Sequence, residues 1–140
     1  HSSNRRQRQM CIRDRVDSTL LKELLDQIDF LSYPRADDLS VYINLIEKNE
    51  KALNKKTPED ILCTFIELTV KKIEEYFIFC GAPAQVIFHG GGIENKYLMG
   101  RIKETIKTEI TTIDKLIPSK YVEAAAFAYL AFKERAVLFK

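Results

Sequence analysis

The stretch "QVIFHGGGIENKYLMGRI", residues 85–102, restricts the fold more than any other part of the chain. Val86, Ile87 and Phe88 form a short apolar run without polar alternation, the pattern of a central strand covered on both faces. Gly90, Gly91 and Gly92 follow at once, and Leu98, Ile102 and Ile106 then recur at helical spacing. A strand, a glycine turn and a helix in that order can cradle an anion or a nucleotide. Glycines let a ligand approach the main chain, and a helix start offers N–H groups that have no partner within the helix. The first question is what meets the backbone at residues 90–92.

The rest of the chain reads as mostly helical. Leu20, Leu21, Leu24, Leu25, Ile28 and Leu31 recur at three-to-four spacing behind the capping candidates Asp17 and Ser18, and Pro34 closes the segment. A second helix is expected from Asp38 to Leu53, with Leu39, Ile43 and Ile46 on its apolar side. The third helix has the clearest start. Thr57 can cap it, Pro58 suits its first turn, and Glu59 and Asp60 complement the positive end of its dipole. Its buried stripe reads Leu62, Phe65, Ile66, Thr69, Ile73 and Phe77, its charged run "KKIEE" reads as a solvated face, and Gly81 with Pro83 stops it. Beyond the glycine turn and its helix, "EITTI" (109–113) predicts a second strand, and Pro118 with Ser119 predicts a further helix start. That last helix, "VEAAAFAYLAF", sets Ala124, Ala125, Ala126, Ala128 and Ala131 where a backbone can pack closely on a neighbour. No internal repeat is visible. The predicted order is three helices, a strand, a helix, a strand and a helix, an α/β arrangement in which two strands make a poor sheet and a sheet partner is missing.

Composition narrows the class. At 140 residues the chain has the length of one domain, which buries about two-thirds of its extended surface. There is no apolar run of membrane-spanning length, and no charged-then-apolar leader opens the chain, so the expected compartment is the cytoplasm. Cys11, Cys63 and Cys80 are odd in number and fit no Cys-x-x-Cys spacing, which predicts neither a disulfide framework nor a zinc site. Cys63 and Cys80, with helical apolar neighbours, read as buried thiols. Residues 1–15, "HSSNRRQRQMCIRDR", stand apart, with Arg5, Arg6, Arg8, Arg13 and Arg15 against the single acid Asp14, the composition of a disordered basic arm. Such an arm can bind nucleic acid. However, "RRQRQMCIRDR" resembles the translation of a sequencing adapter, which has no selected function and implies that the gene continues upstream of Val16. Without that tract Lys+Arg falls from 22 to 17 and Asp+Glu from 20 to 19, so a net charge of +2 becomes −2 and no anionic partner is indicated.

Several readings compete for the glycine turn. In a dinucleotide reading, Gly90 and Gly92 open a G-x-G-x-x-G fingerprint, and Asp114, after the second strand, has the distance and context of a ribose-binding acid. Asn95 stands at the third glycine position, and a Rossmann half needs more strands than follow here. In a plain structural reading the glycines merely link strand to helix.

The motifs themselves carry a resemblance. "VIFHGGGIENKYLMGRI" followed by "VEAAAFAYLAF" resembles the C-terminal end of the anhydro-N-acetylmuramic acid kinases, in which a strand runs into G-G-G-x-x-N, a leucine-methionine helix and an E-A-x-A-F-A-x-L-A helix. The matching residues are Gly90, Gly91, Gly92, Asn95, Leu98 and Met99, then Glu123, Ala124, Ala126, Phe127, Ala128, Leu130 and Ala131. Weaker similarity reaches upstream through "TPEDILCTFIELTVKKIEEYF" and "LLKELLDQIDFLSYP". The resemblance covers residues 16 to 135.

It implies an α/β chain that is a partial ribonuclease-H-like lobe of an actin-like ATPase fold, with the N-terminal lobe missing. It also implies a full-length enzyme that uses ATP and Mg2+ to phosphorylate a 1,6-anhydro amino sugar as water opens the anhydro bridge. By the same resemblance Gly90, Gly91 and Gly92 are the adenosine-side turn, Asn95 closes that turn or caps the next helix, and Glu123 faces the sugar. Glu123 is equally explained by the helix dipole. No catalytic residue is assigned within the chain, because the family's aspartate and first phosphate loop lie further N-terminal, so the chain alone is expected to be inert. His89 receives no chemistry. Expected partners are the small-molecule amino sugar, with no nucleic acid and no membrane and with a homodimer left open. One departure bears on substrate identity: where the family carries a Lys-Ser-Thr-Gly-Arg-Glu-like run, this chain has Arg35, Ala36, Asp37, Asp38, Leu39 and Ser40. The reading from another class is a self-sufficient helical interaction module with no nucleotide site.

Overall fold

The computed structural model describes residues 16–28, 33 and 39–133. The expectations for the tract 1–15, for Leu31, for Pro34 and for Arg35 to Asp38 therefore lie outside the described residues. The chain divides into two compact units, His1–Ala82 and Pro83–Lys140.

The first unit is helical, with α1 (Ser18–Ile28), α2 (Leu39–Lys48), α3 (Glu50–Leu53) and α4 (Pro58–Phe79). Leu20, Leu24 and Ile28 of α1 meet Leu45, Leu53 and Leu68 in one buried cluster, with Tyr42, Ile61 and Phe65 packed against it. Each such side chain contributes roughly 1.5–3 kcal/mol by leaving water. Of the two capping candidates for α1, Asp17 is the cap: its Oδ1 accepts from the Leu20 N–H at 2.9 Å. Its own N–H donates to Thr64 Oγ1 on α4 at 3.1 Å, and its carboxylate pairs with Lys56. The hydrogen bond from Leu20, and after it the one from Lys56, hold the Asp17 carboxyl below its ordinary pKa, and the same pair raises that of Lys56.

Thr57 caps α4 through Oγ1, which accepts from the Asp60 N–H at 3.2 Å, and Pro58 fills the first turn as its sequence position predicts. The second predicted helix is instead broken at Asn49. There the side-chain amide donates to Leu45 C=O at 2.7 Å and to Gln27 Oε1 at 2.9 Å, while its oxygen accepts from Gln27 Nε2 at 3.1 Å. A side chain that captures backbone in this way competes with the helix. The break also changes the packed side: Tyr42, Leu45 and Leu53 face the core, whereas Leu39, Ile43 and Ile46 are exposed. Along α4 the buried set is Cys63, Thr64, Ile66, Glu67, Leu68 and Val70, broader than the stripe read from spacing, and Leu62 and Thr69 are exposed. The run "KKIEE" pairs internally, Lys71 with Glu74 at 2.8 Å and Lys72 with Glu75 at 2.9 Å. Lys72 is nonetheless only 11 % exposed, so the run is not wholly solvated. Cys63 is buried, but Cys80 is exposed because it falls just past the last turn of α4. There the Gly81 N–H reaches Ile78 C=O and the Ala82 N–H reaches Phe77 C=O, with Gly81 at φ 80° and Ala82 at φ 49°. Those two bonds are a Schellman stop.

The second unit carries β1 (Gln85–Phe88), α5 (Lys96–Thr105), β2 (Glu109–Thr112) and α6 (Val122–Phe132). The two strands pair in parallel, Gln85 with Glu109 through Phe88 with Thr112, and α5 is the crossover that a parallel pair requires. Thr108 Oγ1 donates to Pro83 C=O at 2.8 Å, pinning the start of this register. Ile102 of α5 and the adjoining Ile106 are buried. The expectation of a strand covered on both faces fails for β1: Val86 and Phe88 are half-buried, and Ile87 is 43 % exposed. Likewise α6 is apolar on every side, as a buried helix is, yet every residue from Glu123 to Lys133 is exposed.

Candidate functional site

The glycine turn grows out of the C-terminal end of β1, the edge of a parallel sheet at which ligands bind. Gly90 adopts φ 86° and ψ 176°, a backbone region open essentially to glycine alone. This residue is thus demanded by the turn itself. A short 3-10 turn, Gly91–Glu94, comes next and was not predicted from spacing. The Ile93 N–H donates to Gly90 C=O at 3.2 Å and the Asn95 N–H to Gly92 C=O at 3.1 Å, closing it.

Gly91 and Gly92 have no such conformational requirement. A Cβ built on Gly91 meets nothing within 4 Å, and one built on Gly92 meets only Leu98 Cδ2 at 3.8 Å, an ordinary contact. Packing among the described residues therefore does not account for these two glycines. The space in front of them suits a body that lies against the main chain.

Asn95 fills both predicted roles, its N–H closing the turn and its side chain capping α5. Its Oδ1 accepts from the Tyr97 N–H at 3.1 Å and from the Leu98 N–H at 3.0 Å. The start of α5 is consequently not the open anion cradle that strand, glycine and helix suggested, because its own side chain already takes those donors. What remains accessible is backbone at Gly91 and Gly92, both of which are exposed.

Glu123 stands in the first turn of α6, exposed, where the helix dipole alone favours a carboxylate. Among the described residues no hydrogen bond or ion pair engages it. His89, between β1 and Gly90, is exposed. Arg35 to Asp38 lie outside the described residues, and Leu39 and Ser40 open α2. The described residues hold no group of three or more His, Cys, Asp or Glu able to bind a metal ion, and no helix among them is long and apolar enough to cross a membrane.

Sequence reasoning missed one neighbour of the turn. Because Phe88 pairs with Thr112, the 3-10 turn Ile113–Lys115 follows β2 at the same end of the sheet at which the glycine turn follows β1. The signal was available in the spacing of Asp114 from the glycines, which served only the dinucleotide reading.

Comparison with known proteins places this chain in a family. The family model described as anhydro-N-acetylmuramic acid kinase matches residues 5–138. The anhydro-N-acetylmuramic acid kinase of Pseudomonas savastanoi pv. phaseolicola is 35% identical over 121 residues, which are 83% of this chain and 33% of that protein. The protein of the same name from Pasteurella multocida is 35% identical over 127 residues, 85% of this chain and 33% of its own length. That from Actinobacillus pleuropneumoniae serotype 7 is 32% identical over 121 residues. The chain thus spans about a third of the length of the curated relatives it matches. With a family model matched along nearly its whole length, the chain belongs to the anhydro-N-acetylmuramic acid kinase family.

Proposed function

We propose that this chain is the C-terminal part of an ATP-dependent kinase acting on 1,6-anhydro-N-acetylmuramic acid in the cytoplasmic recycling of peptidoglycan. In this reading the two strands and their helices belong to one ribonuclease-H-like lobe of an actin-like ATPase fold. The apolar surfaces left open on β1 and α6 support it, since both have the composition of covered elements.

The reaction breaks the bond between the anomeric carbon and the bridging oxygen. Water adds its oxygen at that carbon and gives up a proton to a carboxylate, and the freed 6-oxygen takes the γ-phosphoryl group of ATP, leaving ADP. ATP would supply the phosphoryl group and Mg2+ would neutralise its phosphates, held by residues outside the described ones, which offer no metal cluster. The residues of this chain act on the other end of the nucleotide. Gly91 and Gly92 bring main chain against the adenosine, Gly90 sets the turn's direction, and Asn95 holds the start of α5 so that the turn keeps its shape. Glu123 is proposed to accept a hydroxyl hydrogen bond from the sugar. The base and the phosphate loop are assigned to the N-terminal portion of the whole enzyme, so the chain by itself transfers no phosphate.

The observation that carries this reading is the pair of glycines whose missing side chains no described neighbour explains, in a member of this family. The test is an assay of the full-length protein bearing this segment, with ATP and the anhydro sugar. Formation of 6-phosphorylated sugar together with ADP is the expected result. ADP release that ignores the sugar, or no release at all, overturns it.

A further inference from the structure

The glycine turn sorts its residues into pairs three apart. The Ile93 N–H bonds to Gly90 C=O and the Asn95 N–H to Gly92 C=O, each a step of three residues. In that 3-10 geometry the side chains of residues i and i+3 eclipse, separated by roughly 6 Å along the axis. Three pairs result. Gly90 stands with Ile93, which is half-buried. Gly92 stands with Asn95, whose side chain is committed to the Tyr97 and Leu98 N–H groups. Gly91 stands with Glu94, and both are exposed.

Glu94 is thus the side chain of the turn that shares a side with Gly91, where an added Cβ meets nothing within 4 Å. Among the described residues no hydrogen bond or ion pair engages its carboxylate. An ionised carboxylate is acceptor-only, so it answers to a hydrogen-bond donor. It also repels a phosphate brought to the same place. A neutral donor therefore suits it, and a nucleoside carries such donors in its ribose hydroxyls and in the 6-amino group of adenine.

We propose that Glu94 is a specificity residue of the nucleotide seat, its carboxylate accepting a hydrogen bond from a neutral donor of the nucleoside that lies against Gly91. This assignment rests on the kinase reading given above. No bond is made or broken by Glu94, which acts on binding alone.

The test compares wild type, Glu94→Gln and Glu94→Ala in the full-length enzyme with four nucleotides: ATP, 2′-deoxy-ATP, 3′-deoxy-ATP and the triphosphate of purine riboside, which lacks the 6-amino group. Wild type should have a KM for ATP roughly tenfold below that of at least one analogue, the scale of one hydrogen bond to a charged group. A disfavoured deoxynucleotide identifies the donor as that ribose hydroxyl, and a disfavoured purine riboside triphosphate identifies it as the adenine amino group. Glu94→Ala should remove the preference by raising the KM for ATP while the analogue's own KM stays where it was, and Glu94→Gln should fall between. In thermal unfolding without nucleotide the exposed substitution should melt with wild type, and ATP should raise its Tm by less. An unchanged or lowered KM for ATP in Glu94→Ala, an equal rise for all four nucleotides, or a wild type that treats all four alike overturns the assignment and leaves the kinase reading standing. A wild type that transfers no phosphate from ATP to the sugar overturns the kinase reading, and this assignment with it.

Discussion

In the helical unit Leu24 shows 0 % of its surface to solvent; in the strand-bearing unit Phe132 shows 79 %. The two regions have similar apolar content and dispose of it differently. The first unit turns Leu20, Leu24, Ile28, Leu45, Leu53 and Leu68 onto one another. The second buries Ile102 and Ile106 but leaves Ile87, Phe127, Leu130 and Phe132 exposed. The contrast separates two uses of hydrophobic residues. One set closes a core by itself, and the other leaves large apolar side chains exposed among the described residues.

The largest expected effect lies in the closed core. Leu24→Ala should cost about 2–5 kcal/mol in urea unfolding of the 140-residue chain, because a buried leucine leaves both lost transfer energy and a cavity. A loss below about 1 kcal/mol would show that the helical core is loose and would break the comparison. Next is Gly90→Ala in the second unit, at about 1–3 kcal/mol, since φ 86° with ψ 176° strains any side chain. Gly91→Ala beside it should be close to neutral for stability, which isolates conformational need from ligand need.

A smaller effect tests the helix start. Asp17→Ala should cost about 1 kcal/mol by removing the cap of α1. Because the folded carboxyl pKa is depressed, this contribution is present above the ordinary carboxylate value and is lost as pH falls through the folded one. Wild-type and Asp17→Ala stabilities, followed by denaturation at stepped pH, should therefore converge below about pH 4. A gap that persists into strong acid would mean that the ion pair with Lys56 and the cap contribute nothing charge-dependent. The smallest effect sharpens the contrast most: Phe132→Ala should change the stability of this chain by less than about 0.5 kcal/mol. In the full-length protein the same substitution should cost more, because α6 would there be covered.

What could be read in advance was what depends on neighbours in sequence. Thr57, Pro58, Glu59 and Asp60 announce the start of α4 because a cap is satisfied within three residues. The strand, glycine turn and helix at 85–102 were readable for the same reason. The break at Asn49 was not, since it depends on Gln27, 22 positions away, and helical periodicity runs straight across it. Cys80 was misjudged because its apolar neighbours say nothing of its position one residue past the last helical turn. The covering expected over Ile87 was read from composition, which records the surroundings a strand evolved in and not those that the described residues provide. At the site, spacing suggested an open helix start, whereas geometry gives those donors to Asn95.

The central claim is that bare main chain at Gly91 bears on a nucleotide, and thermal unfolding of the full-length protein with and without ATP tests it most directly. Wild type should gain about 2.7 kcal/mol at ATP roughly 100-fold above its Kd, seen as a rise in Tm of several degrees. Gly91→Val should melt near the wild-type temperature without ATP and lose most of that rise. An equal ATP-dependent rise in both proteins would contradict the account.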